Sequence, residues 1–160
     1  MKREEHSGNL RLVPESNAER MLSRFERALA DAVLRGDDPR LETARAQLRV
    51  ATVECRELTP WGFYIDLRVS ADVPAGDPAV VRSPLGGASI AGAGLSILAT
   101  AHLNCRDGRI SSIEAVAVGE ERWAAESIER YLTDREPTAL VYSMAGQVEY
   151  SGDQGSIGGS

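Results

Sequence analysis

The sequence has few of the residues from which most catalytic and metal sites are built. Its 160 residues include two His and two Cys, and among the aromatics only two Trp, two Phe and four Tyr. Cys55 and Cys105 have no C-x-x-C spacing, so we expect reduced thiols packed in the core, with no disulfide and no structural zinc. No motif requires a cofactor, and we predict none.

Long apolar runs are also missing. No stretch approaches the ~18 consecutive apolar residues of a membrane span, and the first sixteen residues lack the apolar segment of a signal peptide. Hydrophobic residues make up 42% of the chain and charged residues 26%, as in ordinary globular proteins. We therefore expect a cytoplasmic protein that has no membrane partner.

Basic residues are fewer than acidic ones, 18 Lys and Arg against 24 Asp and Glu. The net charge is −6, and residues 114–136 hold seven acidic residues against three basic ones. Because phosphate backbones bind basic patches, this balance argues against nucleic acid as a partner. An acidic surface suits a basic protein partner, and the candidate contact residues are Glu120, Glu121 and Glu126. The alternative is a solvated face without a partner, and self-association also stays open.

The N-terminal third predicts two helices. After a polar segment, 1–15, which we expect to be flexible, Ser16 and Glu19 have the spacing of a capping box. Apolar residues then recur at helical spacing until Gly36, a typical helix stop. Asp37-Asp38-Pro39 predicts the start of a second helix, and the short link predicts an antiparallel helical hairpin.

Beyond residue 50 the apolar period changes from that of a helix to that of strands. Asp107-Gly108 is a dipeptide favoured by type I′ hairpin turns. Segments that we interpret as strands, or for the last one as a strand or small hairpin, are 50–57, 61–69, 95–105, 109–118 and 138–150.

These segments predict one α+β domain over 16–150, with the N-terminal helical hairpin packed on an antiparallel sheet of about four to six strands. Residues 71–94 are expected to form a long loop with a short strand at 79–81, and 151–160 a disordered tail. Residues 120–135 fit a helix or a strand, and we favour the helix.

Part of the chain, residues 45–125, resembles a known group of proteins. The segments that carry the resemblance are Arg56-Glu57-Leu58-Thr59, Gly62-Phe63-Tyr64, Gly92-Ala93-Gly94, Asp107-Gly108-Arg109-Ile110, Ile113-Glu114 and Trp123. The group consists of small uncharacterised bacterial proteins with a segment like R-E-x-T-G-V-G-F-F-T-x-F-x-V-P. This chain departs from that pattern at Pro60-Trp61 and at Ala115. The resemblance implies a small α+β fold and no catalytic residues, because the group has no assigned activity.

The aromatic residues concentrate in the segment 58–69, LTPWGFYIDLRV. Alternation along a strand places Trp61 and Phe63 on one face, which we expect to be buried, and Tyr64 and Asp66 on the other. Tyr64 and Trp61 are nevertheless the candidate ligand-binding aromatics, since their neighbour Asp66 is a candidate catalytic carboxylate.

His102 is the second catalytic candidate, because it is the histidine within a predicted strand. General acid–base catalysis would require a carboxylate within reach. With Arg106 opposite Arg109, His102 lies across from Ile113, so Glu114 is expected on the other face of the sheet. Asp66 remains the candidate partner of His102.

Two classes of function therefore stay open. The first is a non-catalytic interaction module, immunity-like or regulatory, that uses an acidic surface. The second is a small-molecule-binding or hydrolytic domain whose pocket lies between the helices and the sheet. Its candidate residues would be Trp61, Tyr64, Asp66 and His102. The glycine-rich run 86–94 leads into a strand without a following Lys, so we do not interpret it as a phosphate loop.

Overall fold

The computed structural model describes residues 2–6, 8–133, 140–143 and 148–151. They form an α+β domain, as predicted, with strands and helices that follow one another along the chain in this order. The strands are β1 (Lys2–His6), β2 (Asn9–Val13), β3 (Thr52–Thr59), β4 (Gly62–Arg68), β5 (Leu85–Ala91), β6 (Leu98–Arg106), β7 (Arg109–Ala117), β8 (Leu140–Ser143) and β9 (Val148–Ser151). The helices are α1 (Arg24–Val33), α2 (Glu42–Val50) and α3 (Ala125–Leu132).

All the strands join one antiparallel sheet in the order β1-β2-β3-β4-β7-β6-β5-β8-β9. The prediction of an antiparallel sheet is confirmed, but four to six strands was too few. The type I′ turn is confirmed, since both Asp107 and Gly108 have positive φ, 53° and 75°. The last predicted segment forms β8 and β9. Ser151, predicted to begin the tail, belongs to β9, and residues 144–147 and 152–160 lie outside the described residues.

The first two strands correct the prediction of a flexible segment at 1–15. β1 and β2 form a hairpin, and β2 pairs with β3. Leu12 of β2 is fully buried. The segment NLRLV has only two alternating leucines in a polar context, which is too short a pattern to reveal a strand without its partner β3.

Helix α1 begins later than predicted, after a second capping box. The Glu26 amide donates to Ser23 Oγ at 3.1 Å, and the Ser23 amide donates to Glu26 Oε1 at 2.8 Å. At the predicted start, the Glu19 amide donates to Ser16 Oγ at 3.2 Å, but the chain there forms only turns. Both motifs match in sequence, and the burial of the following helix face selects the second.

Helices α1 and α2 cap each other through arginines. Arg27 of α1 donates to the Leu48 carbonyl at 3.0 Å, and Arg45 of α2 donates to the Leu34 and Gly36 carbonyls at 3.2 and 2.7 Å. However, α1 lies over β5, β6, β8 and β9, whereas α2 lies over β7. The predicted N-terminal hairpin is therefore corrected: two strands precede the helices, and the helices cover different parts of the sheet.

The core lies between the helices and the sheet and is built around aromatic contacts. The Phe63 ring centroid is 6.4 Å from that of Phe25 and 5.6 Å from that of Trp123, and Phe25 is 6.1 Å from Tyr131. All four side chains are buried. Helix α3, which contributes Tyr131, confirms the helix favoured within 120–135. These side chains occupy the space in which the second hypothesis placed a pocket.

The glycine-rich run contains a strand in place of the predicted loop. A Cβ atom on Gly86 would lie 2.0 Å from the Val33 carbonyl oxygen, and the φ of Gly86 is +68°. Glycine at this position therefore allows the end of α1 to pack directly on the backbone of β5. The prediction of a short strand at 79–81 is wrong, since residues 78–80 form a turn.

Candidate functional site on the open sheet face

The helices cover one face of the sheet, and the opposite face, here called the open face, carries Tyr64, Asp66 and His102, three of the four residues predicted for a small-molecule site. A β-bulge in β3 decides which residues reach it. Val53 pairs with Leu67, but Cys55 pairs with Asp66, so Glu54 is the extra residue. The bulge reverses the alternation. Cys55 turns to the open face, and Arg56 turns to the helices instead of away from them.

A second bulge, in β7, brings His102 and Glu114 together. Arg106 pairs with Arg109 as predicted, but Asn104 pairs with Ser112, which leaves Ser111 as an extra residue. His102 consequently pairs with Glu114. The prediction that these two side chains point to opposite faces is therefore wrong, because a single inserted residue shifts the side-chain pattern.

Glu114 is the centre of a polar network. Tyr64 donates its hydroxyl to Glu114 Oε1 at 2.9 Å, and Asn104 Nδ2 donates to Oε2 at 3.1 Å. His102 Nε2 lies 3.1 Å from the same Oε2, with side-chain exposures of 30% for His102 and 19% for Glu114. Asn104 also donates to Ser112 Oγ at 3.0 Å. Because Glu114 accepts a hydrogen bond from the Tyr64 hydroxyl, the pKa of that phenol is raised.

Asp66 lies in the neighbouring row and contacts a thiol. Cys55 Sγ donates to Asp66 Oδ2 at 3.2 Å. Burial, reinforced by this hydrogen bond, raises the pKa of Cys55 to about 11. Burial alone raises the pKa of Cys105 to about 11. Both thiols are therefore protonated at neutral pH and are weak nucleophiles.

Glu57 is the third carboxylate of the open face. It accepts a hydrogen bond from Asn9 Nδ2 at 3.1 Å and pairs across strands with Tyr64. We call Glu57, Asp66 and Glu114 the carboxylate strip. All three are half-buried, and in the described part of the chain none of them accepts a hydrogen bond from Lys or Arg. The exposed Arg11 pairs with Glu57 across strands and interacts electrostatically with Asp66.

Trp61 does not join this network. It lies in the turn between β3 and β4 and is 44% exposed, so the prediction that it belongs to the core is wrong. The Arg122 guanidinium lies 5.9 Å from the Trp61 ring centroid. Its neighbours at the end of the open face are Val116 and Val118, exposed by 41% and 36%. We call Trp61, Val116 and Val118 the apolar rim.

The three glutamates predicted to contact a partner have different environments. Glu121 accepts hydrogen bonds from the Ser96 amide at 2.8 and 3.0 Å and from the Ile97 amide at 3.3 Å. The Ser96 amide is the main cause of its lowered pKa. Glu120 is exposed, and Glu126 is exposed on the first turn of α3 in the helix layer. Glu121 therefore holds the segment that leads into β6, whereas Glu120 and Glu126 are exposed.

A shallow depression of about 550 Å³ lies beside Asp66 on the open face. Tyr64, Asn104 and Ser112 contribute to its lining. Sequence reasoning found Tyr64 and Asp66 but missed Asn104 and Ser112. Their alternation with His102 and Glu114 was visible in the sequence, but the bulge concealed that the two strands present them to the same face.

Comparison of the chain with models of known protein families, with curated proteins and with solved structures finds no match. No helix in the described ranges is long and apolar enough to cross a membrane. Within those same ranges, no three His, Cys, Asp or Glu side chains are grouped so as to hold a metal ion.

Proposed function

We propose that this protein is a non-catalytic interaction module, immunity-like or regulatory, that binds a basic protein partner through the open face of its sheet. The acidic surface of the sequence hypothesis is thereby moved from Glu120, Glu121 and Glu126 to the carboxylate strip. A cytoplasmic location and a bacterial source belong to the same proposal.

The carboxylate strip carries the proposal. An antiparallel sheet can expose one face to water, so an uncovered face alone indicates no partner. Half-buried carboxylates are different, because each loses part of its hydration. The three carboxylates outnumber the exposed Arg11 that lies opposite Glu57, so the strip keeps a net negative charge. A partner that places Lys or Arg over Glu57 and Asp66 would supply the missing charge, and the resulting charge-assisted hydrogen bonds are stronger than neutral ones.

The apolar rim supplies the second element of a protein interface. Exposed aromatic side chains are enriched among the residues that dominate binding energy. Trp61 precedes Gly62, whose cross-strand partner Val116 is exposed together with Val118. The combination of an apolar anchor with charged neighbours is typical of protein–protein contact surfaces.

The network around Glu114 favours binding over catalysis. Two hydrogen-bond donors, Tyr64 and Asn104, already occupy the carboxylate, and the Nε2 atom of His102 lies 3.1 Å from it. Such hydrogen bonding fixes the side-chain positions of the network and occupies both carboxylate oxygens of Glu114. The raised thiol pKa values remove the cysteines as ready nucleophiles at neutral pH.

The test is affinity capture with mass spectrometry, followed by measured affinities for the captured protein. We expect a basic partner whose binding weakens with added salt, as screening of exposed charges requires. Glu57→Gln/Asp66→Asn and Trp61→Ala should each weaken binding by roughly tenfold or more.

The matched control is Glu120→Gln/Glu126→Gln, which removes the same number of charges outside the strip. Unchanged affinity of this control supports the open face. The proposal is overturned if the control abolishes binding while the strip and rim variants bind normally. It is also overturned if light scattering shows concentration-dependent self-association through these residues and no partner binds.

A further inference from the structure

A basic groove lies between α1 and α2, in the helix layer and away from the open face. It encloses about 380 Å³. Its lining residues are Arg27, Asp31, Leu34, Arg35, Gly36, Arg45, Leu48 and Arg49. Four arginines and one aspartate give this lining a formal charge of +3, in a chain whose net charge is −6.

Two of the arginines are held in place by the backbone. Arg27 donates to the carbonyl of Leu48. Arg45 donates to the carbonyls of Leu34, Gly36 and Asp38, the last at 3.0 Å. Both side chains are half-buried. Guanidinium groups that are already ordered lose little further entropy when a ligand binds.

Arg27 keeps unused donors. In the described part of the chain, the Arg27 side chain makes one hydrogen bond, through Nη1. Its Nε and Nη2 atoms have no protein acceptor there. At the rim, Arg49 bonds Glu42 Oε1 at 3.0 Å, with both side chains more than half exposed. Exposed pairs of this kind contribute little to stability, so Arg49 can exchange Glu42 for a ligand at low cost.

We propose that this groove binds a phosphate group. Guanidinium forks match phosphate oxygens in pairs, and a tetrahedral dianion accepts donors from several directions at once. A ligand with a single carboxylate would leave most of the +3 charge of the groove lining unbalanced. The position of Gly36 at the opening adds access, since nothing lies within 4 Å of where its Cβ would be.

The proposal is independent of the open face, and its test is independent too. Arginines near helix C-termini also serve as caps, which requires no ligand. The experiment therefore titrates the full chain with inorganic phosphate and pyrophosphate by calorimetry at constant ionic strength. Succinate serves as a dianion without tetrahedral geometry.

We expect saturable binding of pyrophosphate with a Kd of about 1 mM or lower, and of succinate at least roughly fivefold more weakly. Arg27→Gln should weaken pyrophosphate binding by roughly tenfold, as expected for loss of a hydrogen bond to a charged group. Since Arg27 also caps α2, Arg49→Gln provides a second variant at the exposed rim, with a smaller expected loss of roughly threefold.

Arg122→Gln is the control, because it removes one exposed positive charge outside the groove and should leave pyrophosphate binding unchanged. The proposal would be overturned if neither pyrophosphate up to about 10 mM nor phosphatidic acid vesicles bound saturably. Equal binding of succinate, or an equal loss in Arg122→Gln, would also overturn it. A soluble ester and a lipid headgroup share this chemistry: binding of free pyrophosphate supports the former, and binding only to phosphatidic acid vesicles supports the latter.

Discussion

The two faces of the sheet carry two carboxylate networks that differ mainly in their access to water. On the helix face, Glu26 accepts from Arg56 Nε at 2.6 Å and from Nη2 at 2.7 Å, with side chains 0% and 3% exposed. The remaining Arg56 donors reach the Glu19 and Met21 carbonyls at 2.8 and 3.1 Å. On the open face, Glu114 has neutral or titratable partners and remains partly exposed.

This difference separates a structural group from one that a partner can reach. The buried pair ties α1 and the turn before it to β3, and it works because every charge is matched inside the protein. The carboxylate strip accepts no hydrogen bond from Lys or Arg in the described residues, and its neighbour Arg11 is exposed to water. Complete internal matching therefore marks Glu26 as part of the fold, and incomplete matching is the reason why we propose the open face as a binding surface.

The strongest way to test this comparison is to break the buried pair. Arg56→Met should destabilise the protein by about 3–5 kcal/mol, because it leaves the Glu26 carboxylate buried without a cation. The double variant Glu26→Leu/Arg56→Met should recover most of that loss. Urea unfolding measures both free energies. A loss below about 1 kcal/mol in the single variant would contradict the assigned structural role.

Adjacent residues of β4 provide a test of the two faces within one strand. Phe63→Ala should cost about 3–5 kcal/mol of unfolding free energy, since Phe63 is buried among core aromatics. Tyr64→Phe removes only the hydroxyl donated to Glu114 and should cost about 0.5–1.5 kcal/mol. Equal losses in the two variants would show that the open face is as important for stability as the core.

The smallest effect concerns the thiol of Cys55 on the open face. Folding raises its pKa from 9.0 to about 11, so the native state holds the proton more tightly than the unfolded chain does. The associated stability is present below pH 9 and is lost as the pH rises through about 11.

In a Cys105→Ser background, the reaction rate of Cys55 with a thiol reagent should rise about tenfold per pH unit from pH 7 towards pH 11. The urea-unfolded chain serves as the control and should level off earlier, near its ordinary pKa. A native rate that levels off at the same pH as the unfolded control would show that the thiol is not shielded.

Local patterns in the sequence were sufficient for some elements. Asp38 and Pro39 start a short 3-10 turn, Pro39–Leu41, that leads directly into α2, and the Asp38 carboxylate accepts from the Arg40 amide at 3.0 Å. The Asp107-Gly108 turn is dictated by the backbone freedom of those two residues. These elements depend on neighbours within a few positions, which is why one sequence is enough to predict them.

The candidate site was only partly predictable. Alternation correctly separated Phe63 from Tyr64 and Asp66, because β4 runs without a bulge. It failed for Arg56 and for the pairing of His102 with Glu114, because Glu54 and Ser111 each add one residue to a strand. No feature of the neighbouring sequence marks either position as a bulge, since a bulge forms where pairing with the adjacent strand requires it.

By itself, the sequence determined the α+β class, the helical periodicity, the hairpin turn and the polar character of Tyr64 and Asp66. Tertiary structure decided which capping box starts α1, the strand status of the first residues and of the glycine-rich run, and the face on which each site residue lies. The physical reason is the range of the interactions. Helix caps and turns are satisfied within a few residues, whereas strand register and burial depend on partners far along the chain.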